Sequence, residues 1–203
     1  IRRKSLIDED VEYYGFVRAM RAIDRAQVAL LVIDSTIGLT DQDQRVANFA
    51  AERGCAIIVM LNKWDVLESL EEKDAINTRV SERLGFIGYA PVLKISALTG
   101  KGVDKIWAAV DNVYGNYTKT ISTSQLNKLL TEMRDFGHTV SKGKQTLRVN
   151  YVTQTRVSPP GFTFFANHPM LADDNFKRYV ENRMRDAFDL TGTPIIMKFR
   201  KKD

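Results

Sequence analysis

One cysteine, Cys55, stands in 203 residues, and a single thiol cannot close an internal disulfide, so a reducing cytosol is the expected compartment. The two histidines, His138 and His168, fall in loop-like segments with no metal-ligand company, and surface polar roles suit them better than metal ligation. Long apolar runs are missing too. The longest, Val28 to Ile33 and Cys55 to Leu61, are far shorter than the roughly 18 residues of a membrane span. The basic start Ile1-Arg2-Arg3-Lys4-Ser5 runs into Asp8, Glu9, Asp10 and Glu12, not into the apolar segment of a signal peptide. The first residue is not Met, which reads as a chain that continues upstream. There is no internal repeat or low-complexity tract. What is present, 44% hydrophobic and 27% charged residues, describes a soluble globular protein of one or two domains.

The net charge of +5 is an average over two unlike parts. Residues 1–118 carry 15 Lys plus Arg against 17 Asp plus Glu, net −2, and residues 119–203 carry 15 against 8, net +7. A basic segment of this size is either a solvated face or a surface for polyphosphate, most often RNA, where neutralising phosphates releases counterions. Charge alone leaves both readings open.

Hydrophobic periodicity organises the first part. Val11, Tyr14, Val17, Met20 and Ile23 share one helix face, with Arg18, Arg21 and Arg25 opposite. Gln27 to Asp34 reads as a strand covered on both faces, as in a parallel sheet. Thr40 is suited to cap a helix that Gly54 ends. Cys55 to Leu61 is a second buried strand, followed by a charged helix near Glu71 to Leu84, a strand at Pro91 to Ile95, and a helix from Val103 to about Tyr117 with Trp107 in its core face. This alternation implies βαβ units. After Tyr117 the rhythm changes. Ser122 and Gln125 fit a capping box, Gly137 to Gln145 reads as a loop, and Leu147 to Tyr151 and Phe162 to Ala166 read as strands around Pro159-Pro160-Gly161. Asp173-Asp174 opens a helix that Gly192 follows, and Pro194 to Arg200 is a last strand. The result is a small αββαβ unit.

The chemistry-bearing feature is Asn62-Lys63-Trp64-Asp65, directly after the second buried strand, because ligands of open α/β sheets bind beyond the carboxyl ends of strands. A carboxylate at Asp65 can accept from both the N1 hydrogen and the exocyclic amino group of guanine. Asn62 can pin neighbouring loops and contact the base, and the aliphatic stem of Lys63 can lie across the ring face. Trp64, at the variable position, is expected to pack near the base without reading it. One βαβ unit later Ser96-Ala97-Leu98-Thr99-Gly100 follows a strand. A tight turn there can offer a backbone N–H to the guanine oxygen, and the small Ser96 and Ala97 allow a close approach.

At these residues the chain resembles the Era and EngA (Der) class of bacterial GTPases, and EngA in particular. The matching segments are Ile1-Arg2-Arg3-Lys4, Leu31-Val32-Ile33-Asp34, Gly38 to Asp43, the Asn62 tetrad, Ile95 to Gly100, Ile121 to Asn127 and Gly192-Thr193-Pro194-Ile195. The resemblance covers essentially the whole chain. It implies a P-loop GTPase domain, truncated at its N-terminus, over residues 1–118, and an α+β KH-like domain over residues 119–203. It also implies GTP and GDP as ligands, with Asn62, Lys63, Trp64, Asp65, Ser96, Ala97 and Leu98 as binding residues. Ribosomal RNA, the large ribosomal subunit and the chain's own upstream GTPase domain are the implied partners.

The departures define what the chain lacks. No Gly-x4-Gly-Lys-Ser/Thr occurs anywhere and no Asp-x-x-Gly occurs in residues 1–118, so the phosphate loop and the Mg²⁺ site are absent from the GTPase part. The resemblance puts Ile1 just after that Asp-x-x-Gly, at the position where Ras-like GTPases hold a water-orienting Gln. It implies hydrolysis assisted by K⁺ held through upstream residues, and the 203 residues alone are expected to be inactive. Nor does residues 119–203 contain the Gly-x-x-Gly with which KH domains grip RNA backbone. Any RNA contact must then use another surface, for which Lys177, Arg178, Arg183, Arg185, Lys198, Arg200, Lys201 and Lys202 are candidates, or the unit docks to a GTPase domain. Arg2, Arg3 and Lys4 suit either a partner contact or a mobile terminus. Asp34, at a strand end, reads as a capping residue. The alternative to a GTPase is a nonenzymatic RNA-binding assembly factor with a degenerate nucleotide fold, and an upstream phosphate loop in the gene separates the two.

Overall fold

The computed structural model describes residues 15, 17–135 and 140–201. Arg2, Arg3, Lys4, Val11, Tyr14, His138 and Lys202 lie outside them. The chain divides into two compact units, Ile1–Tyr114 and Gly115–Asp203. No helix among the described residues is long and apolar enough to cross a membrane.

The first unit is built on a three-stranded parallel sheet in the order β1-β2-β3, with β1 Val28–Asp34, β2 Ala56–Asn62 and β3 Val92–Lys94. Helix α1 is described over 17–23. Helix α2, Asp41–Glu52, starts at the expected cap: the Thr40 hydroxyl accepts from the Asp43 amide and the Asp43 carboxylate accepts from the Thr40 amide. Such a cap is worth about 1 kcal/mol. Helix α3, Leu70–Arg83, has a second reciprocal cap between Ser69 and Glu72. Helix α4, Lys105–Tyr117, follows β3. Leu31, Ile33, Ile57, Val59 and Leu61 of the sheet form one core with Ala47 and Ala50 of α2 and Val80 of α3. Cys55 belongs to this core, its thiol donating to the Ala26 carbonyl, and burial pushes its pKa up.

Two expectations fail here. β1 is covered on one face only: Leu31 and Ile33 are buried, whereas Leu30 and Val32 are 42% and 51% exposed. Among the described residues β1 is an edge strand, and no layer closes over its second face. Trp107 is 75% exposed, not core. It sits one residue from Ile106, about 100° around the helix, and so falls outside the stripe of Ile106, Val110 and Val113.

The second unit packs helix α5, Thr123–Asp135, and helix α6, Asp174–Phe188, on one face of a sheet ordered β6-β7-β8. β6, Val149–Arg156, runs antiparallel to β7, Gly161–Ala166, and β7 runs parallel to β8, Ile196–Lys201. The Ser122–Gln125 capping box is present, and Asp173 caps α6 through the Phe176 amide. The segment expected as a loop differs where it is described: Ser141–Lys142 (β4) and Gln145–Thr146 (β5) pair antiparallel. Gly143, at φ 62°, supplies the left-handed residue that a tight hairpin turn needs.

Candidate nucleotide site

The tetrad begins at the last residue of β2, the central strand, so its side chains project from the carboxyl end of the sheet. Beyond Asn62 the backbone turns sharply. Lys63 adopts φ 59° and ψ 30°, a left-handed conformation that side chains disfavour, and opens a short 3-10 turn over Trp64–Val66. Strain of this kind persists only where the surroundings hold it. Here the holding contacts are visible: the Trp64 amide donates to the Ile95 carbonyl at 3.0 Å, and the Val66 amide to the Lys63 carbonyl at 3.1 Å.

Asn62 joins the two expected segments. Its Oδ1 accepts from the Ala97 amide at 3.0 Å, across 35 residues of sequence. The second loop is also fixed internally. The buried Ser96 accepts at Oγ from the Thr99 amide at 3.2 Å, and its amide donates to the Lys101 carbonyl at 2.9 Å. Gly102 is required by this turn, since a Cβ there would stand 2.6 Å from the Lys94 carbonyl oxygen. Ala97 and Leu98 are exposed, Leu98 at 92%.

Asp65 is exposed and makes no side-chain hydrogen bond or ion pair among the described residues, leaving both carboxylate oxygens available as acceptors. Trp64 is half-buried and packs against the core, with Lys94 Nζ 4.7 Å from its ring centroid. Asn62, Asp65 and the Ser96–Leu98 loop therefore converge at one sheet end, with Trp64 as a buttress behind them.

One residue of this site was not legible as such. Asp34 ends β1 directly beside Asn62 in register, and its Oδ2 lies 2.7 Å from Lys63 Nζ. Its Oδ1 accepts from the Thr36 amide at 2.9 Å and from the Thr36 hydroxyl at 2.7 Å. The Lys63 contact, followed by the two Thr36 donors, holds the Asp34 carboxyl down at about 2, with burial acting in the opposite direction. So exposed a pair adds little stability; its effect is to fix where the Lys63 stem lies. The pKa is depressed in the folded state, so this contribution is complete above the ordinary value of 3.8 and is lost as pH falls through about 2. An NMR titration of the Asp34 carboxyl carbon is expected to give a midpoint near 2, moving up in Lys63→Met. A midpoint at the ordinary value, or one insensitive to that substitution, contradicts the pairing.

Residues 14–116 match the elongation factor Tu GTP binding domain, and residues 120–200 match the KH-domain-like C-terminal family of EngA bacterial GTPase enzymes. The chain is 40% identical over 206 residues to GTPase Der of Fusobacterium nucleatum subsp. nucleatum and 42% identical over 207 residues to GTPase Der of Acetivibrio thermocellus, covering 100% of this chain and 46% of each relative. It thus spans about half the length of the curated relatives it matches. Among solved structures, Era in complex with MgGDPNP and nucleotides 1506-1542 of 16S ribosomal RNA aligns at 16% identity and a TM-score of 0.41, over 89% of this chain and 66% of that one, a likeness too distant to inform the site. The chain belongs, over its first part, to the elongation factor Tu GTP binding domain family, and the similarity of its second part to the KH-like family of EngA makes it consistent with the C-terminal part of EngA/Der.

Proposed function

We propose that this chain is the base-recognition half of a GTPase domain, joined near residue 118 to a KH-like RNA-binding domain, in a protein that hydrolyses GTP during assembly of the large ribosomal subunit. The observation that carries the reading is the union of the tetrad and the second loop through the Asn62–Ala97 bond. In this reading guanine lies between the Lys63 stem, anchored by Asp34, and the Ser96-Ala97-Leu98 loop. Asp65 accepts from the ring N1 hydrogen and the exocyclic amino group, two donors that adenine does not present together. The loop supplies a backbone N–H to the guanine oxygen. Adenine fails in such a site because its mismatched edge leaves polar groups unpaired.

The phosphate half lies elsewhere. The sequence has no phosphate loop, and the described residues contain no group of three or more His, Cys, Asp or Glu that could hold a metal ion. These residues do not fit Mg²⁺, and we assign it, together with K⁺, to upstream sequence, where Mg²⁺ would neutralise charge on the phosphates. The exposed Leu30 and Val32 on edge strand β1 support a domain completed by further sequence. Ribosomal RNA is the proposed partner because of the +7 charge of residues 119–203.

The test is GTP turnover. The 203-residue chain is expected to show none above background. The same chain extended upstream through a phosphate loop and Asp-x-x-Gly is expected to hydrolyse GTP, faster with K⁺ and with large ribosomal subunits. Turnover by the chain alone, or none after extension, contradicts the assignment.

A further inference from the structure

The second unit has a sheet face that its helices leave open. α5 and α6 cover the side bearing Val152, Phe162, Phe164, Met197 and Phe199. Strand alternation sends the intervening residues to the other side. There the register aligns Tyr151 of β6 with Phe165 of β7 and Phe165 with Arg200 of β8. A second row aligns Thr153, Thr163 and Lys198. Tyr151 is 41% exposed, Phe165 is half-buried, and Lys198 and Arg200 are exposed. The Tyr151 and Phe165 rings lie 5.9 Å apart at their centroids, tilted by 39°.

We propose that this face binds single-stranded RNA by stacking unpaired bases on Tyr151 and Phe165 while Arg200 and Lys198 hold the adjoining phosphates. The proposal rests on the RNA reading above and says where on the unit it is carried out. Three observations favour RNA over a protein partner. β6, β7 and β8 contain no acidic residue. Lys198, Arg200 and Lys201 form no ion pair among the described residues, so their charge is uncompensated. Lysines beside an aromatic patch are disfavoured at the centre of protein interfaces but suit a polyphosphate. The strands are about 4.8 Å apart, so the row from Tyr151 to Arg200 spans about 10 Å, enough for a base with its phosphate. Single strands are required because an aromatic platform needs bases splayed out of their pairs.

The helix face is the weaker site for the same ligand. Arg185 is committed to structure, with Nη2 2.6 Å from Glu181 and Nη1 donating to the Leu190 and Thr193 carbonyls. Lys177 pairs with Asp174 at 3.1 Å. That removes two of the cations expected to contact RNA.

The experiment measures binding of a 12-nucleotide unstructured RNA to the full chain by fluorescence anisotropy, across a salt series. Tyr151→Ala is expected to weaken binding about tenfold, the size of one lost stack, and Tyr151→Phe to restore it. Arg200→Gln is expected to lower the salt slope by about 0.7, one phosphate contact on a single strand. Arg178→Gln, on α6, is expected to change little. If the wild-type chain binds RNA with a steep salt dependence but Tyr151→Ala binds equally well, the sheet face is excluded and the RNA reading stands. If the wild-type chain shows no salt-dependent RNA binding, both fall.

Discussion

Phe164→Ala is expected to destabilise the second unit by about 3–5 kcal/mol, the cost of deleting a buried phenyl group and leaving its cavity. Phe164 is 3% exposed. Its ring stacks on Phe199 with centroids 4.9 Å apart, and Phe199 meets the Phe176 ring edge-on at 6.0 Å. One substitution thus loosens contacts joining the middle strand, an edge strand and helix α6. A domain of this size has roughly 5–15 kcal/mol of total stability, so the loss is a large share of it. Hydrogen exchange at the amides of β6, β7 and β8 is the readout, and their protection should fall by the same amount. Protection within 1 kcal/mol of wild type would show that this ring contact is not what holds the sheet to its helices.

The neighbouring Phe165 faces the other side of β7, so the same strand serves the core with one ring and the open face with the next. That alternation is readable in Ile196–Lys201, where Met197 and Phe199 turn inward and Lys198 and Arg200 outward. The helix caps at Thr40, Ser122 and Asp173 are readable for a related reason: a hydroxyl or carboxylate meets a backbone amide three residues away, a local geometry that the spacing alone specifies. The tetrad's position follows from the buried run before it.

What was not legible depends on neighbours distant in sequence. A continuous apolar run predicts a strand covered on both sides, yet Leu30 and Val32 are exposed because no layer among the described residues closes over that face of β1. What covers each face is not written in the run itself. Asp34 looks like an ordinary capping residue until the register sets it beside Asn62 and brings Lys63 within 2.7 Å. The left-handed conformation of Lys63 is likewise invisible to pattern, since propensity disfavours it and only the loop contacts impose it. The commitment of Arg185 to carbonyls beyond the end of α6 comes from tertiary packing, where charge counting sees only a free cation.

The most direct measurement of the central claim is nucleotide preference after Asp65→Asn, made in the extended protein that carries the phosphate loop. The substitution replaces one of two acceptor oxygens by an amide donor. Against guanine that donor meets the exocyclic amino group; against xanthine it meets a carbonyl oxygen. Losing one hydrogen bond to a charged acceptor and weakening the other is expected to lower GDP affinity by roughly 100- to 1,000-fold, with xanthosine diphosphate binding more tightly than GDP. GDP affinity and guanine selectivity unchanged in Asp65→Asn would contradict the role of Asp65, and with it the assignment of this sheet end as the guanine site.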